Sequence, residues 1–147
     1  MTENKSTTQK KVWIGKFLDI VNEDKEEEFA FRIDAELDDK LRFKGTVWEE
    51  EFYEQTKLFI DVKGTIKEDR IQFVKTYPCV YEIDENFKTI IDFSKKGHQV
   101  RYDGKKQKGT EKWVGEWLVK GDKVVIDGET YEQDDYGGSF EMTLSED

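Results

Sequence analysis

The sequence predicts an all-β protein, an antiparallel up-and-down β-barrel of about 8–10 strands. Three observations carry this. Apolar residues recur at every second position through most of the 147-residue chain, the spacing that lines alternate side chains along one sheet face. Asp, Gly and Lys clusters separate those segments, and such clusters serve antiparallel hairpin turns. No long stretch carries the 3.6-residue period of an amphipathic helix.

The elements follow in order. Residues 1–10, rich in Thr, Lys and Ser, read as a disordered arm, and 11–147 read as one barrel domain. Val12-Trp13-Ile14-Gly15-Lys16-Phe17 reads as the first strand. Phe29, Phe31, Ile33, Ala35 and Leu37 alternate with Arg32, Asp34, Glu36 and Asp38 in the clearest strand of the chain. An Asp38-Asp39-Lys40 turn leads to Leu41, Phe43, Gly45 and Val47. The segment from Trp48 to Lys57 fits a short helix or a wide loop. Leu58, Ile60, Val62, Gly64 and Ile66 resume the alternation, and Lys67-Glu68-Asp69-Arg70 turns it into Ile71 and Phe73. Later strands carry Ile91 and Phe93, then His98, Val100 and Tyr102, then Trp113, Gly115, Trp117 and Val119, and finally Phe140, Met142 and Leu144. Turns fall at Lys95-Lys96-Gly97, Asp103-Gly104, Gly121-Asp122 and Asp127-Gly128.

A barrel is preferred to a sandwich for two reasons. Consecutive hairpins imply up-and-down order rather than Greek-key crossovers. Gly45, Gly64 and Gly115 also share the apolar face, where a curling sheet needs small residues. Phe43-Lys44-Gly45-Thr46-Val47 is echoed by Val62-Lys63-Gly64-Thr65-Ile66, which reads as convergent strand chemistry more than duplication. Were these strands to form an open edge, Lys44, Lys63 and the Glu runs would guard it against edge pairing.

Composition narrows the function. The chain carries 24 basic and 34 acidic residues, a net charge of −10, and its basic residues form no concentrated face. Nucleic-acid binding is therefore not expected, since phosphate contacts need clustered cations. No apolar run approaches the roughly 18 residues of a membrane helix, so membrane insertion is not expected. The polar start from Met1 to Lys11 shows no secretory pattern, and a cytoplasmic protein is the expectation. One cysteine, Cys79, excludes an internal disulfide. With one histidine, His98, no metal site and no cofactor are predicted.

With Val12-Trp13-Ile14-Gly15-Lys16-Phe17 early and Gly115-Glu116-Trp117 late, the strand pattern from residue 11 to about 144 resembles the calycin-like barrels. These are the lipocalins, fatty-acid-binding proteins and avidin-like proteins. Phe17 stands where lipocalin-like barrels carry the Trp of a Gly-x-Trp motif. The resemblance implies a ligand-binding barrel. It transfers no site, because Arg101 and Tyr102 are adjacent and so cannot act as an Arg-x-Tyr clamp from one face.

Candidate site residues come from polar side chains that share parity with the apolar face. Extending Ile71 and Phe73 gives Lys75 and Tyr77, and extending Val100 both ways gives His98 and Tyr102. Four polar tips among aromatic walls suit a small-molecule pocket. Phe29, Phe31, Phe43, Phe73, Phe93, Trp113 and Trp117 would wall it, and Lys75 would suit a carboxylate or other anion. The bland alternatives are strand-end snorkelling for Lys75, a strand terminus at Tyr77-Pro78, a hairpin flank at His98 and a core ring at Tyr102.

Catalytic signals are thin, and an enzyme, which would perturb the pKa of His98 or Lys75, is the third reading behind two non-catalytic ones. Cys79 and His98 are the one thiol–imidazole pair that composition allows. Glu49-Glu50-Glu51, Asp38-Asp39 and Asp134-Asp135 read as solvated surface. Gly104-Lys105-Lys106-Gln107-Lys108-Gly109-Thr110 lacks the Lys of a phosphate loop and lies between strands. Tyr131 to Gly138 reads as a flexible acidic loop. Two functions therefore stand. One is non-catalytic binding of a small, mainly apolar or anionic-headed molecule; the other is a packed barrel serving as a protein-interaction or structural module.

Overall fold

The computed structural model describes residues 8–22, 25–83, 88–119, 123–132 and 136–145. The strands are β1 (Gln9–Asn22), β2 (Lys25–Leu37), β3 (Arg42–Glu49), β4 (Ile60–Lys67), β5 (Arg70–Thr76), β6 (Val80–Ile83), β7 (Thr89–Asp92), β8 (Gln99–Lys106), β9 (Lys112–Val119), β10 (Lys123–Ile126), β11 (Glu129–Glu132) and β12 (Tyr136–Leu144). One helix, α1 (Glu50–Thr56), follows β3.

Eight strands close an antiparallel barrel in the spatial order β1-β12-β9-β8-β5-β4-β3-β2. Around most of the circumference chain neighbours are space neighbours, as up-and-down order requires. The two interruptions are hairpins of their own, β6–β7 between β5 and β8, and β10–β11 between β9 and β12. Closure of β1 on β12, from Trp13↔Leu144 to Phe17↔Phe140, satisfies both outer strands. Among the barrel strands there is thus no open edge for Lys44 and Lys63 to guard, and both simply face outward from paired strands.

Inward residues alternate as the sequence pattern implies, and among the described residues twenty apolar ones form one buried core. The register explains the glycines. Gly64 pairs with Phe43 on one side and Phe73 on the other, while Gly45 pairs with Ala35 and Val62. In the repeated segment, each motif therefore sets its glycine against the first apolar residue of its partner, Gly64 against Phe43 and Gly45 against Val62. A Cβ on Gly45 would overlap the Asp34 carbonyl, and one on Gly115 the Asp103 carbonyl. The backbones approach too closely there for any side chain, which is how a small barrel accommodates its rings.

Some boundaries differ from expectation. Gln9 and Lys10 lie in β1, and residues 1–7 of the predicted arm fall outside the described residues. Leu41 stands in the turn before β3 with φ 60 and is exposed, so it is a turn residue and not a wall. Ile91 belongs to β7, outside the barrel, and Phe93 lies in the following turn with 63% of its surface exposed. Phe93 is therefore no wall of the interior. The two-residue pattern of Ile91 and Phe93 is too short to separate a barrel strand from a satellite hairpin. Tyr131 and Glu132 end β11 and Tyr136 opens β12, where a loop was expected; residues 133–135 lie outside the described residues.

The two ends of the barrel are built differently. At one end, tight turns at Asp38–Leu41, Glu68–Asp69 and Gln107–Glu111 join the strands. At the other lie α1, the β6–β7 and β10–β11 hairpins, and the tip of β1–β2. That tip runs on as a two-stranded ribbon to Asn22↔Lys25, past the last β1–β12 pair at Phe17.

Candidate functional site

The α1 end holds the candidate site. Lys75, the last inward residue of β5, is fully buried. Its Nζ donates to Glu49 Oε2 at 2.9 Å and to the Tyr102 hydroxyl at 2.8 Å. Tyr77, just past β5, donates its hydroxyl to Glu49 Oε1 at 2.7 Å. The ammonium also lies over the rings of Phe31 at 4.0 Å, Tyr102 at 4.3 Å and Phe17 at 5.0 Å, an attractive placement for a cation shielded from water. Tyr102, on β8, is buried too, and among the described residues no acceptor takes its own hydroxyl proton.

Local sequence explains each placement. Ile71, Phe73 and Lys75 alternate inward on β5. Phe43, Val47 and Glu49 do the same on β3, with Gly45 between them in the same parity. Glu49 opposes Phe31 across the β2–β3 ladder. It is also the residue that caps α1, in extended geometry and without a side-chain capping bond. Its carboxylate enters the barrel instead. Phe52 of α1 is buried and meets the Tyr77 ring edge-on at 5.2 Å, so the helix sits against the same cluster. Thr56 back-bonds to the Phe52 carbonyl and Lys57 ends the helix in the left-handed region at φ 58.

The electrostatics follow from burial. Loss of water pulls the Lys75 ammonium below the ordinary lysine range, and the Glu49 carboxylate opposes that pull. Burial raises the Tyr102 phenol well above its usual value, with Glu49 and then Asp19 adding to the effect. Asp19 shares the inward parity of Trp13, Gly15 and Phe17 near the end of β1. On the outer rim, desolvation raises the Glu51 carboxyl, reinforced by Glu27 and Glu54. Three carboxylates thus lie close together at the end that also holds the buried Lys75.

The eight sequence-derived residues separate into two groups. Lys75, Tyr77 and Tyr102 converge, with Phe73 stacked on Tyr102 at 4.6 Å and 10°. His98 joins them from the loop before β8, where a strand position was expected. It is half-buried, its ring is 5.1 Å from that of Tyr77, and its carbonyl accepts the Tyr77 N–H. Trp117 lies toward the same end and donates its Nε1 to the Leu18 carbonyl at 2.9 Å. Trp113 and Phe43 lie toward the turn end, Trp113 paired with Lys106 and Met142, and Phe43 packed on Trp13 at 5.2 Å.

Glu49 is the residue the sequence reading placed wrongly. Its place beside Glu50 and Glu51 suggests solvated surface, yet its side chain is only 7% exposed. The available signal was its parity with Phe43 and Val47, hidden by the two acidic residues that follow it.

One open groove of about 770 Å³ is lined mainly by residues of mixed charge, among them Asp34, Lys44, Asp61 and Lys63, and does not reach the cluster. A larger open groove includes Phe43, Phe73, Tyr102 and Trp117 in its lining. Cys79 is buried and burial raises its thiol, the opposite of nucleophile activation. Among the described residues no three His, Cys, Asp or Glu side chains converge as metal ligands, and no helix is long and apolar enough to cross a membrane. No protein-family model, curated protein or solved structure matches the chain.

Proposed function

We propose that the barrel binds a small, mainly apolar molecule at its α1 end without chemical change. The observation that carries this reading is the Lys75–Glu49 pair, buried with Tyr77 and Tyr102 among aromatic rings. A buried ion pair adds little net stability, because desolvation cancels most of the attraction, and apolar residues of like volume serve a core equally well. Packing alone therefore does not account for it. A few placed polar groups in an apolar enclosure are what small-molecule recognition uses. In this reading Phe17, Phe31 and Trp117 contact the apolar body, and Lys75 with the tyrosines orients the polar end.

Native mass spectrometry of protein purified from its own cells, paired with titration by Nile red, tests this. Expected are a co-purified mass or saturable one-site uptake, weakened in Lys75→Ala. A bare mass with no uptake would overturn the reading. That result would favour the packed interaction module instead, a reading supported by the tight ring packing of Phe73, Tyr102 and Phe140.

A further inference from the structure

We infer that Glu49 occupies the place of a ligand carboxylate, and that a monocarboxylate with an apolar tail displaces it and frees α1 from the barrel mouth. This rests on the binding reading above and names its ligand class.

The geometry points this way from three sides. First, the Glu49 carboxylate is held as a bound carboxylate would be, one oxygen on the Lys75 ammonium and the other on the Tyr77 hydroxyl. Second, Tyr102 brings a further buried hydroxyl to the same ammonium, and its proton has no acceptor among the described residues. Lys75, Tyr77 and Tyr102 together offer more donors than Glu49 uses. Third, Glu49 does not belong to the barrel floor alone. It adjoins Glu50, the first residue of α1, whose Phe52 rests on Tyr77. Withdrawing Glu49 removes the polar link between helix and cluster and leaves α1 held there by the Phe52–Tyr77 ring contact, while Lys57 forms a bend at its other end.

Charge then selects the ligand. Lys75 is wholly buried and needs one negative partner. A monocarboxylate replaces Glu49 charge for charge, with no proton transferred and no net charge left inside. An ester or alcohol of the same chain would leave the ammonium unpaired once Glu49 departs. The rim residues Glu27, Glu51 and Glu54 repel an arriving anion, so added salt should speed association by screening them.

The test uses cis-parinaric acid, a fluorescent long-chain carboxylic acid, and its methyl ester, with wild type, Glu49→Gln and Lys75→Met. Expected are binding of the acid and not the ester, affinity raised by about tenfold or more in Glu49→Gln, a factor worth about 1.4 kcal/mol, and loss in Lys75→Met. Hydrogen exchange on wild type should show the α1 amides less protected at saturating acid than without it. Acid and ester binding wild type alike, with α1 protection unchanged, would overturn the displacement while leaving the binding reading intact. No binding of either probe to wild type or Glu49→Gln would overturn both. Binding to Glu49→Gln alone would support the inference, since removing the internal competitor would then have opened the site.

Discussion

The two ends of this barrel use the same strands for different ends. At the turn end, Trp13, Phe43, Ile71, Trp113 and Met142 close the interior with apolar side chains and short connections. At the α1 end, the same inward faces carry Lys75, four residues on from Ile71, and Glu49, six on from Phe43. The first arrangement is what a small core needs. The second costs desolvation and is surrounded by longer connections, so the difference separates what holds the fold from what the fold presents.

That contrast can be tested by cutting each end in turn. Glu49→Ala leaves a buried ammonium without its charge partner and should cost about 3–5 kcal/mol. Phe43→Ala, at the apolar end, should cost a similar 3–5 kcal/mol or so through its cavity. Urea unfolding measures both. The sharper comparison is the joint replacement Glu49→Leu with Lys75→Met, which should leave stability unchanged or raise it by about 1–4 kcal/mol, while abolishing probe uptake. A joint replacement as damaging as Glu49→Ala alone would make the pair a structural element like Phe43.

Tyr102→Phe comes next, removing a hydrogen bond to a charged donor and costing about 1.5–3 kcal/mol. The sign of its pH dependence follows from the raised phenol. Its contribution is fully present below the unfolded value of about 10 and is lost as pH climbs toward the folded value. Lys75, whose folded value is lowered, works oppositely: its contribution is present above about 10.4 and lost as pH falls through the folded value. Alkaline spectrophotometric titration of wild type should therefore show fewer than the full six tyrosines ionising before unfolding, and Tyr102→Phe should remove a late one. Smallest of all, Glu51→Gln should raise stability near neutral pH by no more than about 0.5 kcal/mol, as surface changes do. It relieves the repulsion from Glu27 and Glu54, and thermal unfolding would register it.

Much of the architecture was legible because parity is a local property. Phe31, Ile33, Ala35 and Leu37 announce their face within one strand, and all are buried. Lys75 and Tyr102 came from extending such runs by two, and they meet at 2.8 Å. What parity cannot supply is which inward residues meet across the barrel. Glu49 reaches Lys75 from a different strand pair, through the stagger of a closed sheet, and its acidic neighbours gave it the look of surface. Phe93 fails for the opposite reason: its two-residue fragment is too short to fix a register, whereas His98, two before Val100, reaches Tyr77 from the loop ahead of β8. The division of the eight candidates between two ends likewise depends on the strand ladders, which no single segment encodes.

The seam between β1 and β12 has a consequence for how the chain acquires this shape. Trp13 pairs with Leu144, and the Ser145 amide bonds the Val12 carbonyl, so the first strand waits for the last before its ladder is complete. Contacts so distant in sequence slow folding, since the loop they close must be ordered before they repay it. During synthesis the growing sheet carries an unpaired β1 edge until β12 emerges. The hairpins from β2 to β9 can assemble earlier, and final closure is a single late event that seals the edge.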